Sequence, residues 1–223
     1  VFPEGGVSRD GRRAPPKLGL LSYIVQGVDP GSGRDVVFVP VGLNYDRVIE
    51  DRVLLSARDV GARAFRVSVF SAGAYVMRLI WRRLTGRLYK FGYACVSFGT
   101  PLSLKTFLAE DRTVEDLADG LMGRVGAVIP VLPVSLLARV FLEARGPVTE
   151  IDLKRRSAEV LDGLLAEGAH CHLPRASLDY AVDVGLRMLA MRRIVAETPE
   201  GYVLAEGEED VLSYYANAIA HHR

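Results

Sequence analysis

The chain has 223 residues, 49% of them hydrophobic and 25% charged, with 28 basic and 27 acidic side chains. That length accommodates one large domain or a domain with a smaller companion, and the composition argues against a disordered chain. A formal net charge of +1 offers no overall field for nucleic acid, and two cysteines, Cys95 and Cys171, outside any C-x-x-C pair exclude a disulfide scaffold and fit a reducing compartment.

The first stretch, residues 2–17, reads as coil. Residues 18–26 are apolar at helical spacing behind Pro15-Pro16, so a short helix is expected there. A turn cluster at 27–34 leads into 35–43 (DVVFVPVGL), expected as a strand buried on both faces within an α/β sheet, with Asn44-Tyr45-Asp46 at its carboxyl end. Within 65–88, Phe65, Val69, Val76, Ile80 and Leu84 fall near one helical face. Arg66, Arg78, Arg82, Arg83, Arg87, Tyr75 and Trp81 surround that face, as in a helix lying on an anionic membrane surface or a core helix with a basic edge.

A second strand is expected at 93–98 and a helix at 113–125, the latter on Val114, Leu117, Leu121 and Val125. The apolar runs at 67–77 and 125–138 fall well short of the roughly 20 residues a spanning helix needs. Beyond Pro133, Thr149 is positioned to cap a helix to about 167, with Asp152 as its box-like acid. A further helix follows Pro174, a hairpin is expected around Thr198-Pro199-Glu200-Gly201, and a terminal helix covers 208–222 with histidines at its end. This helix, helix, hairpin, helix order overlaps a winged-helix pattern, although 175–193 presents no clean basic face for DNA. Two units are expected, 1–120 and 121–223. Spacing also disfavours a metal at His170-Cys171-His172, because adjacent residues of a strand point apart.

The chemistry concentrates in Phe2-Pro3-Glu4-Gly5-Gly6-Val7-Ser8-Arg9-Asp10-Gly11-Arg12. Glycines beside Ser8, Arg9 and Arg12 allow several backbone N–H groups and guanidinium donors to converge on one anion. Phe2, Glu4, Gly5, Gly6, Ser8, Arg9, Gly11 and Arg12 stand where the third conserved block of the glycerolipid acyltransferases, and of glycerol-3-phosphate acyltransferases in particular, has its residues. The string resembles that block. Val39-Pro40-Val41-Gly42-Leu43-Asn44-Tyr45-Asp46 is similar to the fourth block, and 97–102 and 214–222 extend the likeness in order along the chain.

The resemblance implies an α/β fold: the end of an acyltransferase-type mixed sheet with flanking helices, then a mostly helical tail. It implies transfer of an acyl group from acyl-CoA or acyl-carrier protein, with no cofactor, to the sn-1 hydroxyl of glycerol-3-phosphate in phospholipid biosynthesis. The enzyme is expected to sit peripherally on the cytoplasmic face of the cell membrane. The expected substrate-binding residues are Phe2, Pro3, Glu4, Gly5, Gly6, Ser8, Arg9, Arg12 and Pro40. Family members use a His-x4-Asp base upstream of the loop; none of the four histidines here has an Asp five positions on, so these residues alone are expected to be inactive and no catalytic residue is assigned. Val7 replaces an Arg of the block, a loss of roughly 1.5–3 kcal/mol of phosphate binding if nothing substitutes for it. That substitution leaves a lysophosphatidate or other lysophospholipid acceptor open. An interaction module built on the winged-helix-like tail is the alternative of another class.

Overall fold

The computed structural model of the chain describes residues 2–28, 33–60, 77, 92–144 and 146–222. Apart from Met77, the expected Arg-flanked helix at 65–88 lies outside the described residues. The architecture is mixed α/β, with eight helices and short antiparallel ladders among the described residues. Helix α1 (Leu18–Gly27) forms where the sequence places it.

Strands β1 (Val37–Phe38) and β2 (Val41–Tyr45) run antiparallel to β4 (Leu102–Ser103) and β3 (Ala94–Phe98) respectively, with Phe38 opposite Leu102 and Val41 opposite Phe98. Both sides of this ribbon break at one level. Pro40, which has no N–H to give a ladder, occupies the gap between β1 and β2, and its carbonyl accepts the Gly99 N–H at 2.8 Å. The expectation of a strand buried on both faces is wrong: Val37, Val39, Val41, Leu43 and Tyr45 are 38–53% exposed, while Gly42, Asn44 and Asp46 point inward.

The inward face is small and polar because it meets backbone rather than side chains. A Cβ on Gly42 would lie 2.3 Å from the Val128 carbonyl oxygen. Asn44 Nδ2 donates to Pro130 O at 2.8 Å, and Asp46 Oδ1 accepts the Val134 N–H at 2.9 Å.

Ser103 caps α3 (Leu104–Leu108). A full capping box starts α4 (Val114–Ala127): Thr113 Oγ1 accepts from Asp116 N at 3.1 Å, and Asp116 Oδ2 accepts from Thr113 N at 3.0 Å. Leu117, Ala118 and Leu121 of α4 bury against Leu21, Leu104 and Phe107 in a small core.

The larger core is built around α5 (Pro133–Glu143), a helix that periodicity does not reveal because Pro133 to Ala138 are all buried. Asp46 lies at its N-terminus, where a carboxylate is favoured by the orphan N–H groups. Burial pushes the Asp46 carboxyl up, while the N–H groups of Val134 and Tyr93 hold it down.

Helices α6 (Glu150–Ala166) and α7 (Leu178–Met191), the hairpin β5 (Val195–Thr198) and β6 (Gly201–Leu204), and α8 (Glu209–Asn217) follow in the expected order. Helices α6, α7 and α8 all pack on α5. Thr149 caps α6 as expected, but Asp152 accepts from the Thr149 hydroxyl at 3.0 Å rather than closing a box.

Helix α8 stops at Asn217, short of the expected 222, and residues 218–222 turn back onto α4. The histidines therefore serve a different helix. His221 Nε2 sits 2.9 Å from Gly126 O at the C-terminus of α4. Burial, with the neighbouring His222 and Arg13, pushes its pKa from 6.5 down to about 4.

A buried charge cluster fastens α2 (Asp51–Val60) to the tail. Asp51, 2% exposed, is ion-paired to Arg192 and accepts the Tyr215 hydroxyl proton at 2.6 Å. The Tyr215 oxygen in turn accepts from Arg192 Nη1 at 2.6 Å and from Val48 N at 3.1 Å.

Removing one member of such a pair leaves an uncompensated buried charge. Asp51→Ala is expected to lower unfolding free energy by about 3–5 kcal/mol, whereas Asp51→Leu combined with Arg192→Met costs far less than the two single changes summed. Urea titrations of the parent, Asp51→Ala, Asp51→Leu, Arg192→Met and the double variant measure the difference.

His221 yields a pH dependence. The unfolded chain takes up this proton near pH 6.5 and the folded chain only near 4, so the contribution to stability is complete above 6.5, falls as the pH drops through that window, and levels off below it. His221→Asn is expected to flatten the decline in urea midpoint between pH 7 and pH 5.

Candidate functional site

The loop of residues 2–17 is a closed, internally bonded structure. Pro3 sits in a β-turn in which Gly5 N donates to Phe2 O at 3.0 Å, with Gly5 at φ +69°. The loop's two ends are joined twice: Lys17 N donates to Pro3 O at 2.8 Å, and the Glu4 carboxylate accepts the Ala14 N–H at 2.9 Å. Glu4 thus orders the loop.

A second turn lies inside this ring. Asp10 Oδ1 accepts the Arg12 N–H at 3.0 Å, the pattern by which Asp stabilises a tight turn, and the Ser8 hydroxyl donates to Arg12 O at 2.7 Å. The Ser8 proton is therefore committed within the loop. Phe2, Gly5, Gly6, Val7, Arg9 and Arg12 are all exposed, with Phe2 at 78% and Val7 at 75%. The position at which the acyltransferase block has an Arg thus faces solvent.

The loop is held from beneath by the far end of the chain. Gly11, at φ +83°, approaches α8 so closely that a Cβ there would lie 1.9 Å from Tyr214 O, which only glycine allows. Asn217 Nδ2 donates to Asp10 O at 2.8 Å, and Asn217 Oδ1 accepts from Arg12 Nε at 3.2 Å.

Arg13 turns the other way and donates to Met122 O at 2.8 Å, lying over Gly126, where an added Cβ would come within 2.2 Å of its Nη1. A guanidinium near a helix C-terminus is favoured by the helix dipole, and the second lone pair of the Met122 carbonyl accepts it. Pro40 is placed on the opposite flank of this helix end: a Cβ on Gly99 would touch both Pro40 and Val128 at 3.2 Å. The C-terminal end of α4 thus carries the loop through Arg13, the tail through His221, and the ribbon through Val128.

Sequence reading missed Asn217, Arg13, Asp51 and Arg192. The 214–222 string was a signal for Asn217, but its partner lies 205 positions away, and no local pattern joins the two. His170, Cys171 and His172 lie beside Val131, with Val131 N bonded to His170 O at 2.7 Å and His172 N to Val131 O at 3.0 Å. Successive residues there are fixed by backbone pairing. Burial pushes the Cys171 thiol up, away from the reactive thiolate. Among the described residues no helix is long and apolar enough to cross a membrane.

A family described as the glycerol-3-phosphate acyltransferase C-terminal region matches residues 80–223. A glycerol-3-phosphate acyltransferase of Pseudoalteromonas atlantica is 28% identical over 246 aligned positions, covering 99% of this chain and 29% of the relative. One from Aeromonas hydrophila is 29% identical over 243 positions, with 99% and 29% covered. One from Pseudomonas aeruginosa reaches 37% identity over 122 positions, with 55% and 13% covered. The chain thus spans less than a third of the length of these relatives. The family match begins after the loop, whereas the full-length alignments reach across nearly the whole chain. On a match that takes in more than half of its residues, the chain belongs to the family of the glycerol-3-phosphate acyltransferase C-terminal region.

Proposed function

We propose that these residues form the acceptor-binding and C-terminal part of an enzyme that transfers an acyl group from acyl-CoA or acyl-carrier protein to the sn-1 hydroxyl of glycerol-3-phosphate. The observation that carries this reading is the construction of the loop. Glu4, Ser8, Asp10 and Arg13 hold it in shape, while Arg9 and Arg12 are exposed, Arg12 with its Nε on Asn217. A loop fixed in this way presents guanidinium groups with little further ordering on binding, which favours a phosphate ligand.

In this reading Arg9 and Arg12 grip the acceptor phosphate. Gly5 spends its N–H on Phe2 O and keeps the turn closed together with Ser8 and Glu4, the Gly6 amide is offered to the same ligand, and Phe2 and Pro3 set where the turn begins. Once the phosphate is held, the glycerol hydroxyl needs a base to take its proton as it attacks the thioester carbonyl. That base belongs to a His-x4-Asp element outside these 223 residues. The acyl side is assigned to the ribbon around Pro40, whose outward face of Val39, Val41, Leu43, Val96 and Phe98 is apolar and exposed.

The sheet is read as the end of an acyltransferase-type mixed sheet, and the tail as a winged-helix-like packing unit. The expected division into 1–120 and 121–223 falls inside α4, with Leu121 in the small core and Leu54 and Leu55 packed on the large one, so the two cores do not part the chain at that point. Peripheral attachment to the cytoplasmic face of the cell membrane belongs to the same proposal.

Arg9→Ala in the full-length enzyme tests the reading. One charge-assisted bond to phosphate is worth about 1.5–3 kcal/mol, so KM for glycerol-3-phosphate is expected to rise roughly 10- to 100-fold with KM for the acyl donor unchanged. An unchanged acceptor KM overturns the loop assignment. A larger kcat/KM with a lysophospholipid than with glycerol-3-phosphate overturns the acceptor and leaves the loop in place.

A further inference from the structure

Resting on the assignment of the loop to the acceptor phosphate, we infer that Asn217 is a positioning residue for that phosphate: it sets the direction in which Arg12 presents its guanidinium. The amide of Asn217 is used at both ends. Its Nδ2 holds Asp10 O at 2.8 Å, and its Oδ1 holds Arg12 Nε at 3.2 Å. Arg12 is already fixed at its backbone, with its N–H on Asp10 Oδ1 at 3.0 Å and its carbonyl on Ser8 Oγ at 2.7 Å. With Nε also taken, the rotation of the side chain is restricted, and the terminal nitrogens Nη1 and Nη2 are the donors it has left for a ligand. Those two nitrogens form the edge that meets an oxyanion in a bidentate pair.

The placement of Asn217 is itself rigid. It is the last residue of α8, flanked by Tyr215 in the buried Asp51–Arg192 cluster and by Ile219, which is fully buried. Tyr214 adds a backbone contact, because its carbonyl oxygen lies under Gly11 with no room for a side chain. The direction of Arg12 is thus referred to the large core rather than to the loop alone. An exposed arginine without such a support spreads over many rotamers, and binding must then order it.

The test uses the full-length enzyme with glycerol-3-phosphate and an acyl-CoA. Asn217→Ala is expected to raise KM for glycerol-3-phosphate about tenfold, with kcat and the acyl-CoA KM within twofold of the parent. Asn217→Asp keeps an acceptor for Arg12 Nε and loses the donor to Asp10 O, so it recovers most of the affinity and carries the test if the alanine variant does not fold. On an Arg12→Ala background, Asn217→Ala is expected to add no more than twofold.

An Arg12→Ala variant that raises the acceptor KM while Asn217→Ala does not overturns the role of Asn217 and leaves the loop assignment standing. A fall in kcat together with both KM values changing equally also overturns it, since loss of fold alone does that. If Arg9→Ala and Arg12→Ala both leave the acceptor KM unchanged, the loop assignment and this inference fall together.

Discussion

The C-terminal end of α4 is the point on which the rest of the structure depends. A helix C-terminus is the negative pole of the helix dipole, and each carbonyl there has a second lone pair that can take a donor from outside the helix. Here the donors come from the two extremes of the chain. Arg13 reaches Met122 O, and His221 reaches Gly126 O. The same turn receives the ribbon, because Gly42 lets backbone approach Val128 and Gly99 lets Pro40 pack beside it. One helix terminus thus gathers the loop, the tail and the ribbon, and so closes the fold over long range. His221 stays neutral there because burial and the adjacent cations oppose its protonation, so the donor on Gly126 is an imidazole N–H without charge.

Two buried carboxylates do comparable work for the other elements. Asp46 sits where β2 ends and α5 begins its first turn, and it also accepts the Tyr93 N–H at 2.9 Å. One side chain therefore fixes the ribbon, the approach to β3 and the central helix against each other. Asp51 plays the equivalent part for α2 through Arg192 and Tyr215. Both lie on segments whose own apolar contacts are few, so directed bonds set the geometry that burial alone leaves loose. The inward face of β2 illustrates the same economy: with Gly42, Asn44 and Asp46 turned to the interior, its valines and leucine are left on the outer surface.

What could be read in advance follows the range of each signal. The apolar spacing of Val114, Leu117 and Leu121, the cap at Thr149 and the turn at Pro199-Glu200 are local, and each marks an element that the fold contains. The Phe2 to Arg12 string marks a turn-rich loop by its glycines and its Asp10–Arg12 pair, and the loop is ordered by those same residues. Helix α5 was hidden because its first six residues, Pro133 to Ala138, are all buried and show no period. The strand at 35–43 was misread because apolar residues were taken to face the core, when its buried side is defined by hydrogen bonds to 128–134. Asn217 and Arg13 could not be found by spacing at all, since their partners are set by the closure of the chain on itself.

That closure bears on how the loop, in the role proposed for it, would hold a phosphate with one cation fewer than the acyltransferase block has. Where the acyltransferase block has an Arg, this chain has an exposed Val7, so the grip proposed here rests on fewer charges. Fewer charges bind as tightly only if less is lost in ordering them. In the proposed reading that compensation comes from the bonds of Arg12 to backbone and to Asn217 rather than from another cation, with the rigidity drawn from the core around α5. Any change that loosens α8 should then be felt as a weaker hold on the acceptor before it is felt as unfolding, because the Asn217 amide is the thinnest link between the large core and Arg12.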